Sequence, residues 1–123
     1  MPPIALLLVL LTTGCSGLDP VAASLRITNA GPEPIVGLTV YSPGSQVEFG
    51  TIAPGATSEH RVMPGGVYRY AAFRFTHDGQ PVEQPVIDFV GEEPERGREF
   101  TYTLRVSTDP QPFLVIMSVV RDR

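Results

Sequence analysis

The sequence predicts an all-β protein, a single small β-sandwich of seven or eight short strands. Three observations carry that expectation. Apolar and polar residues alternate at period two along most of the chain, which places one face of each segment in a core and the other in water. Thirteen Pro and twelve Gly in 123 residues supply frequent turn signals, spaced at roughly the 8–12 residues that suit short strands. No stretch carries apolar residues at the 3.6-residue spacing of an amphipathic helix.

The strands are expected in this order. Leu25 and Ile27 alternate with Arg26 and Thr28, and Asn29 to Pro34 makes a turn rich in Gly and Pro. Leu38 and Val40 alternate with Thr39 and Tyr41, closed by Pro43-Gly44. Val47 and Phe49 flank Glu48 before Gly50 and the Pro54-Gly55 turn. Thr57 to Val62 is more polar and reads as an edge strand, ended by Pro64-Gly65-Gly66. Tyr68 to Thr76 is aromatic on both faces and is expected to be a long central strand. Asp78-Gly79 is a two-residue hairpin signal, with Val82 to Val90 returning and Pro85 marking an edge or a bulge. After the acidic loop Gly91 to Gly97, Phe100, Tyr102, Leu104 and Val106 alternate cleanly with polar neighbours. Phe113 to Val120 reads FLVIMSVV, too short to span a bilayer and expected to be buried on both faces. The strand count and size suit an immunoglobulin-like or transthyretin-like sandwich, although the Cys and Trp pattern of true immunoglobulin domains is absent.

Composition bounds function. Hydrophobic content of 42% and charged content of 18% exclude a disordered polyelectrolyte. A net charge of −4 argues against nucleic-acid binding, which calls for a basic face. All nine basic residues are Arg, so Schiff-base lysine chemistry and a phosphate-loop lysine are excluded. The single cysteine rules out an intrachain disulfide.

That cysteine follows a distinctive segment. Ile4 to Leu11 reads IALLLVLL, the length of a secretory apolar segment and less than half of a membrane span. Leu11-Thr12-Thr13-Gly14-Cys15 then resembles the lipobox of bacterial lipoproteins. Gly14 and Thr13 suit the small positions before the cysteine; Thr12 stands where Leu is commoner, and no Lys or Arg precedes the apolar run. The resemblance implies diacylglycerol on Cys15, removal of residues 1–14 as a signal peptide, and acylation of the new amino terminus, with palmitate as a representative chain. Ser16 in place of Asp implies an outer-membrane address, on the periplasmic side, where the organism has one, and otherwise the outer face of the cytoplasmic membrane. Two acyl chains or more hold a small protein stably, at about 0.8 kcal/mol per buried CH₂. The alternatives are an ordinary secretory signal with a free cysteine, and a buried strand of an internal domain. On the lipid reading the chain divides into a signal (1–14), a lipidated tether (15–24) and a sandwich domain (25–123).

Residues 25–106 also resemble a group of small uncharacterised bacterial lipoproteins. The shared pieces stand here as Phe49-Gly50, Gly55-Ala56-Thr57-Ser58, Tyr68-Arg69-Tyr70-Ala71, Asp88-Phe89-Val90-Gly91-Glu92 and Thr101-Tyr102-Thr103-Leu104. The resemblance implies fold and address and carries no activity.

Candidate chemistry is sparse. Asp88, Glu92, Glu93 and Glu95 form the densest acidic group and are the candidates for a hard cation such as Ca²⁺, against the plainer reading of a solvated turn. His60 and His77 have no chelating partner at i+2 or i+4. Ser58 and His60 would share one strand face, a possible nucleophile–base pair that lacks a third orienting group. Arg69 and Arg74 are expected on opposite strand faces, one of them paired with Asp88. Tyr41, Tyr68, Tyr70, Phe73, Phe75 and Tyr102 are core residues or a face for sugar or peptide. The expectation is a non-enzymatic, membrane-anchored adaptor or accessory sandwich with no cofactor, an envelope protein as partner and no nucleic acid. A carbohydrate-, peptide- or metal-binding module is the second reading, and a hydrolase using Ser58 and His60 the third.

Overall fold

A computed structural model describes residues 21–86 and 88–123. The strands are β1 (Ala23–Asn29), β2 (Ile35–Ser42), β3 (Ser45–Ile52), β4 (Arg61–Met63), β5 (Ala72–His77), β6 (Gln80–Gln84), β7 (Glu99–Ser107) and β8 (Phe113–Arg121). They form two four-stranded sheets, β4-β1-β7-β8 and β3-β2-β5-β6, packed face to face. The all-β sandwich expected from the alternation is the fold observed.

The period-two pattern explains the layers. On β1, Leu25 and Ile27 are fully buried while Arg26 and Thr28 face out. On β7, Phe100, Tyr102, Leu104 and Val106 point into the same core. The second sheet meets them with Leu38 and Val40 of β2, Phe49 of β3, and Phe73 and Phe75 of β5. The Phe73 and Tyr102 rings cross at the sheet interface, 6.4 Å apart and nearly perpendicular. β1 and β7 pair in parallel from Ser24↔Glu99 to Asn29↔Leu104, a long-range pairing that brings the two cleanest strands side by side at the centre of their sheet.

Short turns behave as their residues demand. Asp78 and Gly79 both have positive φ (50° and 77°), so β5 and β6 are joined by a two-residue turn that matches strand twist. At the opposite edge, the backbone of the Pro43-Gly44 turn passes so close to Gly65 that any side chain there would collide with the Pro43 carbonyl.

Three strand expectations are corrected. Tyr68 to Ala71 is not strand; β5 begins at Ala72. In the segment before it, the Val67 carbonyl accepts the Glu95 N–H (2.6 Å) and the Tyr68 carbonyl accepts the Tyr102 hydroxyl (2.6 Å). Partners from a loop and a side chain replace a neighbouring strand there. The return strand ends at Gln84, before Pro85, and residues 85–98 form a long connection. β8 is an edge strand, not one buried on both faces: Leu114 is buried, whereas Met117 and Val120 are about half exposed (52% and 50%). Both of those side chains meet water in the described structure.

That edge is blunted in two ways. Between the pairs Thr103↔Ser118 and Leu104↔Ile116, Met117 is an extra residue, a bulge that breaks the ladder. The Gln84 side chain also donates to the Leu114 carbonyl (2.9 Å) and accepts its N–H (2.6 Å), so an amide from β6 stands in for a strand against β8.

The expected Arg–Asp88 pairing is absent as well. Arg69 precedes β5, where strand alternation does not apply, and is exposed. Arg74 points outward from β5, across from Glu83 on β6. Asp88 instead accepts the Val90 N–H (2.7 Å) and caps its own turn.

Two buried polar side chains yield predictions. Asn29 is fully buried; its amide donates to the carbonyls of Glu33 (2.8 Å) and Ile52 (3.0 Å) and accepts the Gly31 N–H (3.0 Å). Asn29→Ala strands those groups and is expected to cost about 2–4 kcal/mol in urea unfolding. Tyr102→Phe removes one hydroxyl and leaves the Tyr68 carbonyl unpaired, at about 1–3 kcal/mol. Burial, and after it the charge of Glu95, raises the Tyr102 pKa well above its ordinary 10.0. The folded state thus holds this proton more tightly than the unfolded chain. Its contribution is complete below pH about 10 and declines as pH rises beyond it, and Tyr102→Phe should flatten that alkaline decline.

Candidate functional site

The outer face of the β3-β2-β5-β6 sheet carries a shallow surface feature beside Tyr41. Strand register sets its rows. Tyr41 on β2 lies between Gln46 on β3 and Ala72 on β5. The next row holds Glu48, Thr39, Arg74 and Glu83 in order across the four strands. Because Ala72 is small, the sheet dips beside the Tyr41 ring. The dip is a shallow hollow of about 200 Å³, walled by Tyr41, Glu83, Gln84 and Pro85.

Charges of both signs stand in the row beside the hollow. The Arg74 guanidinium donates to the Tyr41 hydroxyl at 3.4 Å. That hydrogen bond, the Tyr41 charge, and then Glu83 and Glu48, raise the Arg74 pKa above its ordinary value. One cation is therefore flanked in register by two carboxylates, beside the Tyr41 ring. Across β6 a second shallow hollow of about 400 Å³ lies between the two sheet edges, bordered by Pro81, Gln111, Pro112 and Phe113. The hollows share Glu83, Gln84 and Pro85, and together they run from Tyr41 to Phe113.

Of the six aromatics singled out in the sequence, Phe73, Phe75 and Tyr102 are core residues and Tyr68 is buried; Tyr41 and Tyr70 keep surface. Tyr70 is tied into structure. Phe89 stacks between Tyr68 (5.6 Å, edge-on) and Tyr70 (5.2 Å, tilted), and the Tyr70 hydroxyl donates to the Asp88 carbonyl (3.3 Å). These contacts pin the 85–98 connection onto the segment before β5. Partial desolvation, followed by the charges of Glu92 and Asp88, raises the Tyr70 pKa.

The acidic group does not assemble. Among the described residues no three His, Cys, Asp or Glu side chains come together to hold a metal. Asp88 uses an oxygen on the Val90 N–H, and Glu92, Glu93 and Glu95 are exposed. Glu93 and Glu95 border a hollow with Arg96 and Arg121, which gives them cationic neighbours in place of a shared ion.

Ser58 and His60 are not brought together as a nucleophile and base. The Ser58 hydroxyl accepts the Ile27 N–H (2.9 Å) and donates to the Glu59 carbonyl (3.0 Å), anchoring the bridge between Thr57 and Thr28. His60 Nε2 instead lies 3.5 Å from Asp122 Oδ2. The same oxygen accepts the Thr101 hydroxyl (2.7 Å), whose own oxygen accepts from Arg26 Nε (2.9 Å). This polar set lies over the outer face of the first sheet. His77 joins Glu33 at 3.0 Å and stands 3.5 Å from Asp78, linking two turns. Cys15 lies outside the described residues.

The chain matches no protein-family model and no curated protein. Its fold has a solved counterpart, a protein from Eubacterium rectale determined by NMR. The two are similar at a TM-score of 0.54 and 12% identity, over 83% of this chain and 96% of the other. At that identity the likeness is one of fold, and the site must be argued from its own residues.

The sequence reading places Tyr41 among six aromatics that are either core or a face for sugar or peptide, and does not name Ala72, Glu83 or Phe113 as its companions. The signal for Tyr41 lay in its alternation with Leu38 and Val40, which turns it outward.

The pinning role of Phe89 can be measured. Phe89→Ala is expected to cost about 1–3 kcal/mol, below the value for a fully buried Phe. It should speed amide exchange at Glu92 and Glu95 while leaving Leu104 protected, as read by hydrogen exchange.

Proposed function

We propose that this chain is a lipid-anchored envelope lipoprotein whose β-sandwich serves as a non-enzymatic adaptor or accessory module. The observation that carries the reading is the apolar run Ile4–Leu11 followed directly by Thr12-Thr13-Gly14-Cys15. Two features of the folded domain support it. First, β1 starts at Ala23, so few residues separate Cys15 from the sandwich. Fully extended at about 3.5 Å per residue, that stretch holds the domain within roughly 30 Å of the anchor. Second, the Val21 carbonyl passes over Gly66 so closely that a Cβ would lie 2.7 Å from it. The chain therefore enters beside the loops around Gly66 and Pro94, and the rest of the domain projects away from that end.

The commitment of the Ser58 hydroxyl to the Ile27 N–H and the Glu59 carbonyl favours the accessory role over a hydrolase built on Ser58 and His60. The membrane is the first partner, reached through Cys15, and a second envelope protein is the expected client. The location is the periplasmic side of an outer membrane, or the outer face of the cytoplasmic membrane where there is only one.

Intact mass of the full chain, expressed in a bacterium and extracted from membranes, tests the anchor. The expected product lacks residues 1–14 and carries diacylglycerol on Cys15 with a further acyl group on its amine. Cys15→Ser should release the protein into the soluble exported fraction. An unmodified thiol on the wild-type mature chain would overturn the reading.

A further inference from the structure

We propose that the trough running from Tyr41 to Phe113 binds a neutral, hydroxyl-rich glycan chain. The proposal does not depend on the lipid anchor.

A pyranose ring offers an apolar face of C–H bonds and a rim of hydroxyls. It is recognised by a flat ring paired with planar hydrogen-bonding groups. Tyr41 supplies the ring, and Ala72 leaves the space beside it. Arg74, Glu83 and Gln46 lie in the adjoining register positions as donors and acceptors. The Arg74 guanidinium lies 3.4 Å from the Tyr41 hydroxyl, which puts a donor at the edge of the ring.

Charge selects against other ligands. Arg74 faces Glu83 and has Glu48 nearby, so the trough has no surplus positive charge for a phosphate or an acidic sugar. Shape selects a chain over a small molecule. The two hollows are shallow and open, and they share Glu83, Gln84 and Pro85. Successive rings can cross the β6 edge from Tyr41 to Phe113, whereas an engulfing pocket would enclose one ligand. A peptide strand is poorly served. Pro81 and Pro85 bring no N–H groups, and Gln84 already occupies the Leu114 backbone.

The test uses the full-length chain and its tyrosine fluorescence, which no Trp obscures. Cellohexaose, maltohexaose and chitohexaose are titrated separately, with a polyproline decamer alongside. At least one hexasaccharide is expected to bind saturably. Tyr41→Ala and Ala72→Leu should each weaken it about tenfold or more, while Tyr70→Ala leaves it within about twofold. Ala72→Leu keeps the aromatic ring and only fills the notch, so it decides the matter if Tyr41→Ala unfolds; circular dichroism melting reports the fold of each variant. Absence of a saturable change with all three sugars overturns the proposal. So does sugar binding that survives both substitutions, or binding of the polyproline alone.

Discussion

The hydrogen bond from the Tyr102 hydroxyl to the Tyr68 carbonyl is the contact on which one end of the molecule is organised. Tyr102 sits on a central strand, its ring against Phe73 of the facing sheet and its oxygen at a segment that belongs to neither sheet. An unpaired carbonyl in that position would cost about 1–3 kcal/mol. Once it is satisfied, Val67 and Tyr68 can be buried without joining a strand. Phe89 then has a surface to rest on, and the 85–98 connection follows. The order of dependence runs from one phenol to a buried loop, then to an aromatic stack, then to the course of the chain between β6 and β7.

The long sides of the sandwich are joined by side chains that act as short pieces of backbone. Gln84 bonds both polar groups of Leu114 and couples β6 to β8. On the other side, the Ser45 hydroxyl accepts the Gly65 N–H (2.9 Å) beside the Pro43-Gly44 turn. Asn29 ties the turn before β2 to the end of β3 through two carbonyls. Such groups satisfy edges that would otherwise invite another chain. They also leave the outer sheet faces free, which is why the Tyr41 trough can exist on a domain whose aromatic side chains otherwise serve packing.

How much of this could be read in advance depends on the range of the interaction involved. β1 and β7 were legible because alternation is local: Leu25 and Ile27, or Phe100 to Val106, announce a face without reference to anything distant. The Asp78-Gly79 turn was legible for the same reason, since its backbone demand falls on two adjacent residues. Tyr68 to Ala71 misleads because Tyr68 and Ala71 are buried as in a strand, while the partner of the Tyr68 carbonyl is a side chain 34 residues away. The apolar run of β8 misled because hydrophobicity does not say whether a second layer covers a sheet. The candidate trough lay furthest from view. It needs β2, β5 and β6 in register, and its floor is made by the smallness of Ala72, a residue with no chemistry to advertise.

The parallel pairing of β1 with β7 also bears on mechanics. Tension entering ahead of Ala23 runs along the axis of β1, a strand flanked by β4 on one side and β7 on the other. Its ladder to β7 extends from Ser24 to Asn29, so a pull loads those bonds together in shear instead of opening them one by one from an end. A domain attached by this strand resists extraction by its own handle.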